Sequence, residues 1–137
     1  MTVKEHADAL LALARGAGPG TPMTVLDGAN PDDAVPPYVL VYFADGDPEE
    51  PDSRPLNGRP DRYVLRGIFH LVGGNAAATR ALGDKLRARL LNVVPAVADR
   101  QCFPVRREDS IPPQRDESTG SLVMDRVDIY RLESEPA

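Results

Sequence analysis

The chain has almost no sulfur chemistry and few aromatic rings. Cys102 is the only cysteine among 137 residues, so no disulfide can form within the chain. A single thiol suits a reducing compartment, or an assembly built in one. Tryptophan is absent and aromatics make up 5% of residues, too few for a stacking platform that reads sugars or single strands. No stretch reaches the roughly eighteen consecutive apolar residues of a membrane-spanning helix. The opening residues, Met1-Thr2-Val3-Lys4-Glu5-His6, carry an acid early and no apolar block, so they do not read as a signal peptide. Basic residues are in deficit, 16 Lys+Arg against 21 Asp+Glu, a net charge of −5. That excludes a generally basic nucleic-acid coat and leaves room for a local basic patch. The composition reads as a soluble, intracellular protein with no membrane partner.

Proline and glycine, by contrast, are plentiful, at 14 and 11. Proline breaks helix interiors, which argues against an all-helical bundle. A hydrophobic fraction of 42% still supports a core, and the length fits one domain over residues 1–137. No internal repeat is present.

Residues 2–15 read as a helix. Thr2 and Glu5 form a Thr-x-x-Glu capping box, and Val3, Ala7, Leu10, Leu11 and Ala14 make one apolar stripe. Gly16 is a natural C-cap. Met23–Leu26 is a short strand candidate. Tyr38–Phe43 is a stronger one, apolar at both parities, which predicts largely covered faces: an inner strand, or a strand with a helix on one face and another subunit on the other. Residues 44–61 form a long polar loop. Its acids are Asp45, Asp47, Glu49, Glu50, Asp52 and Asp61, its bases only Arg54 and Arg59, so it carries −4 of the chain's −5. Loops of this length are functional or disordered.

Arg62–Val72 is the longest strand candidate. Tyr63, Leu65, Phe69 and Leu71 share the predicted core face, and Arg66 and His70 share the other. Asn75 is placed to cap a second helix from Ala76 to about Asn92, with Ala78, Leu82, Leu86 and Leu90 as its buried stripe. From Ala76 to Arg100 the balance is +3. Gln101–Arg107 reads as a further strand, residues 108–120 as a second polar loop, and Ser121–Leu132 as the closing strand. The order is α-β-β-β-α-β-β. Hairpin-linked strands predict an α+β fold: a mainly antiparallel sheet of about four to five strands, two helices on one face, and long hairpin loops as extensions.

Candidate chemistry is thin. Gly16-x-Gly18-x-Gly20 follows a helix and precedes Pro22, the wrong context for a phosphate loop. Gly73-Gly74 lies between strand and helix and reads as an ordinary turn. His6, His70 and Cys102 lack metal-ligand spacing, and a zinc site needs three or four ligands. Cys102 as a nucleophile needs a positioned base; Arg100, Arg106 and Arg107 favour its thiolate, but a half-buried strand cysteine is the plainer reading. Asp125 and Asp128 point to opposite faces of a strand and cannot act as a catalytic pair. Arg126 and Arg131 favour cross-strand ion pairs or an interface. Along the second helix Arg80, Asp84 and Arg87 alternate in sign, with Arg80 and Asp84 spaced as an i, i+4 pair, which reads as a solvated or interface face. No enzyme signature and no cofactor emerge. The informative features are surfaces and arms.

The layout nevertheless resembles a known family. An N-terminal helix is followed by a Pro-Tyr-x-x-x-Tyr strand, Pro37-Tyr38-Val39-Leu40-Val41-Tyr42, and a variable polar loop. The long strand Tyr63–Val72 then runs into the Ala- and Arg-rich helix Ala76–Leu91. The polar segment Pro104-Val105-Arg106-Arg107-Glu108-Asp109 and the terminal strand Val127-Asp128-Ile129-Tyr130-Arg131-Leu132 close the chain. Over residues 2–132 this resembles the tail terminator proteins of long-tailed phages, especially those infecting actinobacteria. The acidic loop at 44–61 is a departure in length.

The resemblance implies a small α+β protein, with no catalysis and no cofactor, that forms a homo-hexameric ring. Such a ring sits on the last ring of the major tail tube protein, stops its polymerisation and presents the surface that docks the head connector. It would be a virion component at the head-proximal end of the tail, assembled in the host cytoplasm, with genome DNA passing through its lumen without specific binding. Alternatives are a head-closure or connector protein, another minor tail protein, or, in a different class, a small-molecule-binding α+β enzyme domain. A ring needs a heterologous interface. Acidic Asp47, Glu49, Glu50 or Asp52 approaching basic Arg80, Arg87 or Arg89 of a neighbouring subunit would supply one, and Arg106 and Arg107 are further candidate interface residues. A competing expectation is that the acids line the lumen and keep DNA sliding.

Overall fold

Both segments with helical spacing fold as helices. The computed structural model describes residues 2–16, 23–29, 34–45, 62–117 and 123–137. Helix α1 spans Thr2–Arg15 and buries Leu10, Leu11 and Ala14, three members of its predicted stripe; Val3 at its start stays exposed. Gly16 ends it in the left-handed region at φ 70°, donating its N–H to Ala12 O at 3.1 Å. The predicted Thr2–Glu5 capping box falls on a Thr2 side chain outside the described residues. Helix α2 spans Ala76–Leu90, and Asn75 caps it by accepting the Ala78 N–H at 2.8 Å. Leu82, Leu86 and Leu90 are buried, on the order of 2 kcal/mol each by transfer of apolar surface.

The strands are β1 (Val25–Asp27), β2 (Tyr38–Asp45), β3 (Tyr63–Gly73), β4 (Arg100–Cys102), β5 (Arg106–Asp116) and β6 (Val123–Pro136). They form one six-stranded sheet in the order β1-β2-β3-β6-β4, with β5 beside β4 on the same edge of β6. Only β1 and β2 pair in parallel, so the sheet is mostly antiparallel. The fold is α+β, with both helices on one face of the sheet.

The core lies between that face and the helices. Val39 and Val41 of β2, Leu65, Phe69 and Leu71 of β3, and Tyr130 and Leu132 of β6 are all fully buried there with Leu10, Leu86 and Leu90. The predicted core face of β3 is thus the observed one. Gly67 sits within that face, where an added Cβ would lie 2.6 Å from Phe69 Cε2. The missing side chain makes room for the Phe69 ring, which meets Tyr130 edge-on at 5.7 Å. The inner position predicted for β2 also holds, flanked by β1 and β3, but the cover expected on both faces does not extend to Tyr42, which is exposed on the face away from the helices.

Three sequence expectations change. The polar loop read over residues 108–120 is a strand as far as Asp116. The strand read over 101–107 divides into short β4 and the start of β5, so three strands rather than two follow α2. Beta propensity argues against Glu108, Asp109, Pro112 and Pro113, yet β5 pairs with β6 from Arg106↔Arg131 to Asp116↔Val123. It does so at an edge, where proline costs no ladder bond, and with two register shifts that absorb the misfits. The closing strand also runs further than predicted, to Pro136.

Candidate interaction surfaces

The sheet face opposite the helices carries the chain's organised polar surface. Strand parity places Tyr42, Arg66, Ile68, His70, Asp125, Ile129, Arg131 and Glu133 there. Near Gly73, the buried side chains Tyr38, Leu40 and Val72 form a small second core. Elsewhere the face is open, and Tyr42 is 45% exposed. His70 Nδ1 lies 3.1 Å from an Asp125 carboxylate oxygen, and its ring meets Tyr42 edge-on at 5.8 Å. The bulge between Arg107 and Asp109 turns Glu108 onto this face. Glu108 accepts from Arg66 Nε at 2.7 Å and Nη2 at 3.1 Å, and from Arg131 Nη1 at 3.4 Å. The Arg66 hydrogen bond, against opposing burial, holds its carboxyl below the usual carboxylate range. One carboxylate thereby ties β3, β5 and β6 together.

At the end of this face, beside the β4–β5 connection, is a cavity of about 220 Å³ lined by Arg62, Phe103, Pro104, Arg106, Arg131 and Glu133. Glu133 is held from both sides, by Arg62 and by Arg131 Nε at 2.5 Å. Arg106 has no hydrogen-bond or ion-pair partner among the described residues. Phe103 is 39% exposed in a chain that has three phenylalanines. The wall is fixed by backbone bonds, Phe103 N–H to Glu133 O and Val105 N–H to Val93 O, both 2.9 Å. Sequence reasoning did not find this cavity. Arg106 is a predicted interface residue, but Arg62 and the pair Arg131 and Glu133 come from distant segments that only the pairing of β3 and β5 with β6 brings to it.

The predicted interface residues divide among these surfaces. Asp47, Glu49, Glu50 and Asp52 lie outside the described residues. Arg80 and Arg87 stand exposed on α2, and Arg80 and Asp84 do not form the ion pair their spacing predicted. Arg89 turns inward: its Nη1 donates to Ala14 O at 2.8 Å and Arg15 O at 3.2 Å, satisfying carbonyls at the end of α1. Arg106 and Arg107 are adjacent in sequence but lie on opposite faces, Arg106 at the cavity and Arg107 opposite Tyr130 on the helical side.

The groups considered for catalysis are held in structural roles. His6 is buried, with Nε2 2.7 Å from Ser134 Oγ, which also accepts from Arg100 Nε at 3.0 Å. This node docks α1 onto β6 and lacked a sequence signal, since His6 and Ser134 are 128 residues apart. Burial pushes the Cys102 thiol up, outweighing the Arg100 charge, which disfavours a reactive thiolate. Asp125 and Asp128 lie on opposite faces as predicted: Asp125 meets His70, and fully buried Asp128 accepts from Ser110 Oγ at 2.5 Å and Arg126 Nε at 3.1 Å. Among the described residues no three His, Cys, Asp or Glu side chains group as a metal site, and no helix is long and apolar enough to cross a membrane.

No protein-family model matches the chain, and no curated protein matches it. Among solved structures, it is similar to a chain of the virion of native gene transfer agent (GTA) particle. That match has a TM-score of 0.58 at 16% identity and covers 95% of this chain and 87% of the other. At that identity the likeness is one of fold.

Proposed function

We propose that this chain is a structural virion protein that caps a phage-type tail tube, ends its polymerisation and offers the docking surface for the head connector. The observation that carries this reading is the shared fold with a chain of a gene transfer agent virion across nearly the whole length. The layout of strands and helices that resembles tail terminators agrees with it.

In this reading six copies form a ring by a heterologous contact, and DNA passes through the lumen without specific binding. Arg80, Arg87, Arg106 and Arg107 are the cations presented outward. Arg89 is occupied within the chain. The test is to add the protein to polymerising tail tube protein and measure tube lengths by electron microscopy. A terminator shortens the tubes and decorates one end at substoichiometric amounts. A head-closure or connector protein leaves tube length unchanged and binds the head connector alone, and that result would sink the terminator reading.

A further inference from the structure

The cavity at the β4–β5 corner has an unbalanced charge. Arg62, Arg106 and Arg131 line it with one acid, Glu133, which Arg62 and Arg131 engage, and Arg131 also donates to Glu108. Arg106 therefore presents a guanidinium with nothing to neutralise it among the described residues. Beside it Phe103 and Pro104 form an apolar wall. Arginine next to an exposed aromatic ring is the composition of an interaction hot spot, and the backbone bonds at Phe103 and Val105 pre-form it.

We propose that this cavity receives the segment Asp47-Pro48-Glu49-Glu50-Pro51-Asp52 of a second copy of this chain. The inference rests on the ring reading above and names its contact. Four acids in six residues complement the cationic cavity, and a carboxylate can meet Arg106 in a bidentate pair. Pro48 and Pro51 have the Pro-x-x-Pro spacing that aromatic-lined grooves take up in extended form, which suits the Phe103–Pro104 wall. Segment and cavity are different patches of one chain, so their contact runs head to tail, as ring closure requires. Asp128 of β6 is buried on the opposite face and does not compete.

Two full-length variants test this, Glu49→Lys/Glu50→Lys and Arg106→Glu. Arg106 is exposed, and circular dichroism checks the folding of both variants. Each variant alone should associate on the order of tenfold more weakly than wild type at low salt by sedimentation velocity. Mixed in equal amounts they should recover association, because each chain then offers the charge its neighbour lacks. In parallel, a synthetic peptide of residues 45–54 is titrated onto the wild-type protein. It should bind, weaken with salt, and lose about tenfold with Arg106→Glu. Unchanged association in both variants, or peptide binding indifferent to Arg106→Glu, overturns the proposal. Weakened variants that fail to complement on mixing also overturn it, by assigning the segment to the cavity of its own chain. If wild type assembles neither alone nor on tube ends while the peptide still binds through Arg106, the ring reading falls and the cavity's specificity stands.

Discussion

At the scale of single residues, space decides more than propensity. Gly67 is a poor strand former in the middle of a central strand, yet its place is fixed by the Phe69 ring. Phe69 is fully buried and packs on Tyr130, so it has nowhere to move. Gly67→Ala should therefore destabilise the protein by about 1–3 kcal/mol, the usual cost of overpacking, despite alanine's lower conformational entropy in the unfolded chain. Thermal denaturation reads this, and a rise in Tm would show that the Phe69 site can relax. Tyr130 is a second such residue. Its hydroxyl is buried without a hydrogen-bond partner among the described residues, and burial, then the Asp128 charge, pushes its pKa up to about 12. Tyr130→Phe removes a polar group that gains nothing, so stability should hold or rise by about 1 kcal/mol. A clear drop in the denaturation midpoint would reveal a bond that Tyr130 makes after all.

At the scale of elements, what was legible in the sequence was periodic, and what was missed was made by pairing. Helices α1 and α2 and strands β2 and β3 carry their own apolar patterns and caps, and they fold where those patterns place them. Strand β5 has no such pattern. Arg106, Arg107, Glu108, Asp109, Pro112 and Pro113 read as a loop, and the strand exists because β6 supplies the ladder. The same charges, prolines and bulges keep its outer edge from pairing with another sheet, as natural edge strands require. What pins β5 from within is Ser110, directly opposite Asp128 and hydrogen-bonded to it at 2.5 Å. Ser110→Ala leaves a fully buried carboxylate with Arg126 as its remaining donor among the described residues. We expect a loss of about 1.5–3 kcal/mol, the range for a hydrogen bond to a charged group, with faster amide exchange along residues 106–111. Pro112→Ala, on the exposed edge, should change neither. Equal effects from the two substitutions would mean that β5 is held by its backbone alone.

At the scale of the whole molecule, charge is sorted by the sheet. The sequence showed an acidic stretch and a basic stretch, but not the two faces that separate Arg106 from Arg107, nor the cavity that draws Arg62, Arg131 and Glu133 together from across the chain. Those groupings depend on strand register, which a one-residue slip would invert, and register is a property of the folded sheet. Glu108 shows the consequence for stability. It joins β5 to Arg66 of β3 and Arg131 of β6, and the Arg66 hydrogen bond lowers its pKa in the folded protein. A carboxyl held below its unfolded value of about 4.3 stabilises the fold above that pH. The contribution disappears as pH falls through the lowered folded value. The urea midpoint should therefore be steady near neutrality and fall in acid. Glu108→Gln should lower the midpoint at pH 7 and flatten the fall, so that the two proteins converge at low pH. Curves that remain parallel down to the acid limit would assign the linkage to other carboxylates, and the three-strand tie at Glu108 would then carry no net stability.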